Sequence, residues 1–315
     1  MKVVITGGAG FIGANLARLM IEGPGIDTVT VVDDLFTGFK ENLAGLDVDY
    51  HEGTILDPGV LDVAFTGADA VVHLAARSSV PRSVAEPMAA HHANATCTAE
   101  VLEAARRAGG PQVVVASSSS VYGANPTLPK REDLAPMPVS PYAASKLATE
   151  AYTLAWASVY DLDVLAFRFF NVFGPLQPPR HTYAAVVPAF VSALTDDRPL
   201  PVHGDGRQTR DFTYVGSVCH VLLDSVERRV TSATPVNLAF GSRVSLLEVI
   251  AELEEIVGRP LAVEHQPRRA GDVRDTQADT TRLRELFPEA EPISLAEGLR
   301  ATVDWFRSRP QDTTA

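Results

Sequence analysis

A glycine-rich turn near the N-terminus constrains the fold of this chain more than any other feature. A short apolar strand over Val3–Thr6 precedes it, and a helix over Phe11–Glu22 follows. Glycine permits a tight turn and lets backbone amides approach a phosphate at the positive end of a helix. The segment therefore predicts a strand–turn–helix unit that binds the pyrophosphate of a dinucleotide. The candidate contacts are Gly7, Gly10, Phe11, Ile12 and Gly13.

An acidic residue ends the second predicted strand, Val29–Val32, at the position expected for a ribose contact. Asp33 lies 20 residues beyond Gly13, the spacing that this motif requires. A carboxylate there accepts from the adenosine ribose and repels a 2′-phosphate, which predicts NAD rather than NADP. Four further candidates for cofactor contact, with a plain loop role as the alternative, are Asp57, Leu74, Ala75 and Ala76.

Short apolar strands alternate with helices through the first part of the chain, and the composition then changes to Pro-rich and polar segments. This alternation is typical of a parallel sheet covered by helices on both faces. We predict an α/β fold of two parts. A Rossmann-type doubly wound domain spans residues 1–174, with 210–240 returning to it. A smaller α/β substrate-binding lobe comprises 175–209 and 241–308, before a frayed tail at 309–315.

A phenol and an ammonium lie four residues apart in a predicted helix, at Tyr142 and Lys146. Residues at this spacing share one helix face. Lowering the pKa of a tyrosine from 10 to 7 takes roughly 4 kcal/mol, of which an ammonium at about 5 Å supplies roughly 3. Tyr142 is therefore the candidate base, and the hydroxyl run Ser117–Ser120 follows another apolar strand nearby. An exposed Tyr–Lys pair is the alternative.

Charge and composition exclude several classes of function. The chain has 315 residues, 27 Lys and Arg against 39 Asp and Glu, and a net charge of −12, which argues against a nucleic-acid binder. Two cysteines, Cys97 and Cys219, lack metal-ligand spacing, so we expect no metal. No apolar run is long enough for a membrane span. We expect a cytoplasmic protein without membrane contact.

The motifs TGGAGFIG, YAASK, LAARSSVPRSV, RFFNVFGP, GDGRQTRDFTYV and RAGDVRDTQAD together resemble the extended short-chain dehydrogenase/reductase family, specifically its nucleotide-sugar epimerases and dehydratases. Members that dehydrate resemble one another in an Asp-Glu pair where this chain has Ser119-Ser120. The resemblance therefore implies a UDP-sugar 4-epimerase with NAD. It makes Ser118 the catalytic hydroxyl and Ser119 a second sugar contact. Tyr142 would take the proton of the 4-hydroxyl while hydride moves to NAD, and the 4-keto sugar would turn and be reduced on its other face.

The resemblance also implies the substrate contacts. Asn171, Arg210 and Arg269 match diphosphate contacts, Asp272 matches a uridine ribose contact, and Val187 lies in the segment that cradles uracil. Two residues bear on the choice of sugar. Arg82 either faces a carboxylate at carbon 6 or lies at the surface, and Thr276 leaves room for a large substituent where some relatives have tyrosine.

Family members usually form dimers, which implies here a homodimer through a four-helix bundle of Ala95–Ala108 and Tyr142–Ser158. Two alternatives to the epimerase stay open at this point. One is a nucleotide-sugar dehydratase or reductase, and the other is a non-catalytic protein that senses a dinucleotide.

Overall fold

The computed structural model describes residues 1–178, 185–267 and 274–309. The strands in this part are β1 (Lys2–Thr6), β2 (Thr28–Asp33), β3 (Asp49–Glu52), β4 (Ala70–His73), β5 (Gln112–Ser118), β6 (Val164–Phe169), β7 (Val172–Phe173), β8 (Leu200–His203), β9 (Thr209–Arg210), β10 (Thr213–Tyr214), β11 (Val236–Leu238), β12 (Val244–Ser245) and β13 (Val263–Gln266). The helices are α1 (Phe11–Glu22), α2 (Pro58–Phe65), α3 (Val80–Ala85), α4 (Pro87–His91), α5 (Cys97–Arg107), α6 (Pro141–Tyr160), α7 (Val186–Thr195), α8 (Val215–Glu227), α9 (Leu246–Val257), α10 (Thr281–Leu286) and α11 (Leu295–Ser308).

A parallel sheet organises the larger part of the molecule, with the strand order β3-β2-β1-β4-β5-β6-β11. Its inner strands are runs of buried valines and other apolar residues, as a sheet covered on both faces requires. The order of strands reverses between β1 and β4, which is where such sheets bind their ligands. The predicted Rossmann-type α/β fold is therefore confirmed.

Helices cover both faces of this sheet. On one face α1 packs against α8, and their buried side chains, among them Leu16, Met20 and Leu222, share a core with β1 and β2. On the other face α2, α5 and α6 enclose a second core that includes Leu61 and Val101. The helix predicted at Phe11–Glu22 has the predicted bounds, because its apolar residues repeat with the helical period.

Helices α7, α9 and α11 surround a separate core in the second half of the chain, with Phe190, Leu253 and Val303 at its centre. Three two-stranded sheets, β7 with β10, β8 with β13 and β9 with β12, complete this part of the described structure. These strands have only two or four residues each, and strand periodicity could not predict them, since so few residues show little or no alternation.

One segment differs from the predicted division of the chain. Helix α10 falls within residues 241–308, yet its Leu283 and the following Phe287 are buried in the core beside the large sheet. The Phe287 ring lies 5.8 Å from that of Phe167 in β6. Apolar side chains four residues apart form one helical face, and this face covers the edge formed by β6 and β11. The last six residues of the predicted frayed tail lie outside the described residues.

Candidate active site

A cleft of about 950 Å³ opens at the carboxyl ends of the strands in the large sheet. It brings together the glycine turn, the ends of β2, β4 and β5, and the first turns of α6. The predicted cofactor and catalytic residues that line it are Gly7, Gly10, Phe11, Ile12, Gly13, Asp33, Leu74, Ala75, Ala76, Ser118, Ser119, Tyr142 and Lys146. Candidates chosen from separate segments of the sequence thus lie around one space.

The glycine turn is packed so tightly that side chains are excluded. Gly7 has a φ of +74°, and a Cβ there would lie 2.7 Å from the backbone nitrogen of Ala75. A Cβ on Gly13 would lie 2.3 Å from the carbonyl oxygen of Gly7. Helix α1 begins at Phe11 directly after this turn, so the positive end of the helix faces the cleft. This cradle fits the pyrophosphate of a dinucleotide.

Asp33 ends β2 at the edge of the cleft and is only 7% exposed. Its two carboxylate oxygens accept from the backbone of Ala9 at 2.9 Å and of Leu35 at 2.8 Å. Burial raises the pKa of this carboxyl, and the backbone hydrogen bonds oppose that effect. Each oxygen keeps a further lone pair, so the fixed carboxylate fits a ribose diol. Its neighbour Asp34 also lines the cleft but is exposed.

The other nucleotide candidates divide between the cleft and a helix terminus. Leu74, Ala75 and Ala76 line the cleft beside the glycine turn. Asp57 instead is the N-cap of α2, where its Oδ1 accepts from Gly59 N at 2.9 Å. It is not among the residues that line the described cleft, although the preceding Leu56 is. The cofactor contact of Asp57 stays a prediction.

Helix α6 places the tyrosine and the lysine on its buried side. Ser140 caps the helix through Ala143 N, and Pro141 occupies the first turn. Tyr142 and Lys146 are both buried, and the Tyr142 phenol faces the Ser118 side chain at the end of β5, which opposes the effect of burial on the pKa of the phenol. Ser118 Oγ also accepts from Ser120 Oγ at 2.9 Å. The predicted catalytic hydroxyls and the phenol therefore meet.

The electrostatics differ from the prediction that Lys146 lowers the pKa of Tyr142. Burial raises the pKa of Tyr142, and the group that opposes this effect is Ser118 rather than Lys146. The Lys146 ammonium donates to the carbonyl of Ala116 at 2.8 Å, and burial lowers its pKa to about 8 while the charge of Glu150 opposes that shift. The lysine is thus directed at the strand, and the protein alone does not make Tyr142 a strong base.

A buried ion pair behind Lys146 was not found from the sequence. Glu150, one turn beyond Lys146, accepts from Arg168 Nε and Nη2, each at 2.9 Å, and from Ser117 Oγ at 2.5 Å. The guanidinium also lies 4.7 Å over the ring of Tyr122. This pair joins α6 to β5 and β6. Glu150 could have been found from the sequence, because it lies four residues beyond Lys146 on the same helical face as Tyr142. No local sequence pattern indicates Arg168 as its partner.

A second buried network, also missed from the sequence, begins at Asn94 in a π-helical turn over His92–Thr96. Its side chain accepts from Arg77 N at 2.8 Å and donates to Ser145 Oγ at 2.8 Å. A π-turn is frequent at functional sites because it redirects side chains. Here it displaces the start of α5 to Cys97, two residues after the predicted start.

Two predicted diphosphate contacts lie on the opposite wall of the cleft. Asn171 lines it after β6, and its Nδ2 donates to Asp211 O at 3.2 Å. Arg210 lines it on β9, where its Nη1 donates to the carbonyls of Thr209 and Arg274 at 2.8 and 2.9 Å. Arg269 and Asp272 fall outside the described residues.

Of the two other substrate candidates, Arg82 and Val187, only Arg82 lines the described cleft. Arg82 lines the cleft, and its guanidinium lies 5.5 Å over the ring of Phe36. Val187 does not line the described cleft, because the first turn of α7 directs its side chain into the core around Phe190. The neighbouring Ala185 lines the cleft instead, and the contact of the segment around Val187 with uracil stays a prediction.

Comparison with known proteins decides the family. Residues 3–239 match the model of the NAD dependent epimerase/dehydratase family. The chain belongs to this family. Enzymes of this family depend on NAD, which agrees with the fit of the glycine turn and Asp33 to a dinucleotide.

Relatives within the NAD-dependent epimerase/dehydratase family include both reaction types. The chain is 37% identical to a UDP-glucose 4-epimerase of Mycolicibacterium smegmatis, over 99% of this chain and 100% of the relative. It is 32% identical to a dTDP-glucose 4,6-dehydratase of Streptomyces niveus, over 98% and 93%. A solved UDP-N-acetylglucosamine 4-epimerase of Methanobrevibacter ruminantium is 34% identical, with a TM-score of 0.92 over 98% of each chain.

Within the described residues no helix is long and apolar enough to cross a bilayer. The same part of the chain holds no cluster of three or more His, Cys, Asp or Glu arranged to bind a metal.

Proposed function

We propose that this family member is an NAD-dependent UDP-sugar 4-epimerase. The observation that carries the proposal is the distribution of acids in the cleft. Among the described residues that line it, the carboxylates are Asp33 and Asp34, at the cofactor end, while Ser119 and Ser120 stand beside Ser118. Elimination of water needs an acid and a base at the sugar. A hydroxyl run without a carboxylate favours epimerisation over the dehydratase alternative.

The mechanism assigns proton transfer to the Tyr142 phenol. The glycine turn and Asp33 would hold NAD, which when bound would supply reversible hydride transfer at carbon 4. Tyr142 takes the proton of the 4-hydroxyl and gives it back, while Ser118 donates a hydrogen bond to the same sugar oxygen. No leaving group is protonated, because an epimerisation expels none. Lys146 supplies positive charge beside the phenol once it is oriented by substrate and cofactor. The net reaction inverts carbon 4 without consuming NAD.

The opposite wall would hold the UDP group. Arg210 and Asn171 are assigned to the diphosphate because guanidinium and amide groups donate in planes that suit phosphate oxygens. Arg269 and Asp272 are assigned to the diphosphate and the uridine ribose by their match to family positions. Firm contacts to UDP leave the hexose free to turn over, as an epimerase requires.

The first experiment incubates the protein separately with UDP-glucose, UDP-N-acetylglucosamine and UDP-glucuronate, without added NAD. We expect interconversion of 4-epimers with unchanged mass, monitored by chromatography and mass spectrometry. Loss of water or carbon dioxide, or a requirement for NADPH, would contradict the epimerase proposal and support the dehydratase or reductase.

Replacement of the base tests the mechanism. Tyr142→Phe should lower kcat by about 10²–10⁴-fold, the range for losing a general base. NAD content, read from absorbance after denaturation, should not change. Unaltered turnover in this variant would exclude Tyr142 as the base. Retained NAD binding without turnover in the parent protein would instead support the dinucleotide-sensing alternative.

The proposal includes a homodimer through α5 and α6. Tyr152, Trp156 and Tyr160 form a ladder on α6, with ring centroids 6.0 and 5.7 Å apart. Tyr152 and Tyr160 are exposed, and so is Val159. A continuous apolar stripe on an exposed helix fits a helix–helix interface between two copies.

A further inference from the structure

Lys130 is a buried cation on the cleft wall that the proposed mechanism does not use. It is one of only four lysines in the chain and is 3% exposed. Its ammonium donates to the carbonyl of Asn125, and within the described residues no carboxylate forms an ion pair with it. Burial lowers the pKa of this group. Burying a charge without a counterion costs free energy, so an anionic ligand would relieve the cost.

Backbone hydrogen bonds place Lys130 relative to the predicted diphosphate contact. Lys130 N donates to Gln277 O at 2.7 Å, and the adjacent Thr276 N donates to Thr209 O at 3.1 Å. Thr209 precedes Arg210 in β9. Arg210, Thr276 and Lys130 therefore follow one another along this wall, and all three line the cleft.

The other side of Lys130 leads to the catalytic end. Asn125, whose carbonyl accepts from the Lys130 ammonium, donates through its backbone nitrogen to Tyr122 O at 2.9 Å. Tyr122 ends the single 3-10 turn that follows Ser118. Lys130 is thus connected on one side to the strand that carries Arg210 and on the other to the turn that follows Ser118, and the hexose would lie between these two groups.

A second polar group on this wall lacks a partner. The Oγ1 atom of Thr276 is buried and has no hydrogen-bond partner within the described residues. Buried hydroxyls without partners are uncommon and costly. A carboxylate oxygen accepts from both an ammonium and a hydroxyl, so one such group on the hexose would satisfy Lys130 and Thr276 together.

The alternative cation for this role is Arg82, which the structure places elsewhere. Its guanidinium lies over Phe36, and Phe36 follows Asp33 at the end of β2. The adjacent Ser83 accepts from Tyr142 N at 3.0 Å, so Arg82 lies on the wall formed by α3 and the end of β2, whereas Lys130 lies on the wall that carries Arg210.

We propose that Lys130 and Thr276 form a subsite for a carboxylate on the hexose, which makes a UDP-hexuronate the preferred substrate over the neutral UDP-hexose. The inference rests on the proposed 4-epimerase function and specifies its substrate class.

The kinetic test compares Lys130→Met with the parent protein on UDP-glucuronate and on UDP-glucose. Loss of a charge-assisted hydrogen bond should raise KM for UDP-glucuronate by about 10- to 100-fold. KM for UDP-glucose should stay within about twofold, because that substrate has no carboxylate to lose. Lys40→Met is the matched control, since Lys40 is exposed and lies over Tyr50, outside the cleft. Equal losses on both sugars, or none on UDP-glucuronate, would overturn the inference.

Direct observation of the ammonium separates this inference from the proposed function. With four lysines, ¹³Cε labelling gives four resonances, and the one absent in Lys130→Met is Lys130. UDP-glucuronate should shift the titration of this resonance to higher pH, and UDP-glucose should not. Bound UDP-glucuronate without such a shift refutes the subsite even if epimerisation is observed. Absence of epimerisation with every UDP-sugar refutes the proposed function, whatever the resonance does.

Discussion

At the scale of single residues, Lys146 combines a functional position with an unfavourable environment. Its folded pKa of about 8 lies below the ordinary 10.5, so between these values the unfolded chain binds more protons and stability rises with pH. Below pH 8 the buried ammonium destabilises the fold. Lys146→Met should therefore be more stable than the parent at pH 7, by on the order of 3 kcal/mol, and the difference should shrink as pH rises toward 10.5.

Urea unfolding at pH 7, 8.5 and 10 measures this difference, with Lys40→Met as the exposed control. Tyr142 is present in both proteins, so its raised pKa cancels. A stability difference that stays constant across this range would show that Lys146 does not titrate as described.

The position of Lys146 was predictable because YxxxK is a local helical spacing. Its charge state was not, since the burial that lowers its pKa comes from packing against β5, which is 30 residues away in sequence.

At the scale of elements, the Glu150–Arg168 pair connects α6 to β6. Both side chains are nearly inaccessible, at 4% and 3% exposure. Glu150→Gln leaves a buried guanidinium uncompensated, so it should lower the free energy of unfolding by about 3–5 kcal/mol. Replacing both residues by leucine should recover most of this loss. As a control, Asp163→Asn breaks the exposed Arg229–Asp163 pair and should cost less than about 1 kcal/mol.

Denaturant midpoints of the four proteins test this expectation, and a Glu150→Gln cost no larger than that of Asp163→Asn would contradict it.

The Glu150–Arg168 pair could not be predicted from the sequence, unlike much of the large sheet. The inner strands of the large sheet were predictable as apolar runs and its helices from their apolar periodicity, whereas the edge strand β11 was not predicted. The partners of Glu150 depend on which strands lie beneath α6, and the two-residue strands β7, β9, β10 and β12 have no period to read.

At the scale of the whole molecule, the exposed face of α6 predicts an assembly. Val159 is 69% exposed beside the aromatic ladder, so a glutamate there should not disturb the monomer fold. Val159→Glu should convert the proposed dimer to a monomer, because an interface cannot accommodate an unpaired carboxylate. Light scattering during size-exclusion chromatography measures the mass. Leu247→Glu on α9 is the control, and a parent protein that is monomeric at micromolar concentration would contradict the dimer.

The packing of Phe287 against Phe167 has a consequence for how the molecule is made. Strand β11 and the α10 segment complete the edge of a sheet whose other strands end by residue 169. During synthesis the nascent chain would carry β6 as an open edge until β11, which ends at Leu238, had been added, and the covering α10 segment follows only after that. Shortening the gene after residue 174 would therefore not release a self-sufficient nucleotide-binding module, but a fragment with an uncovered strand that invites aggregation.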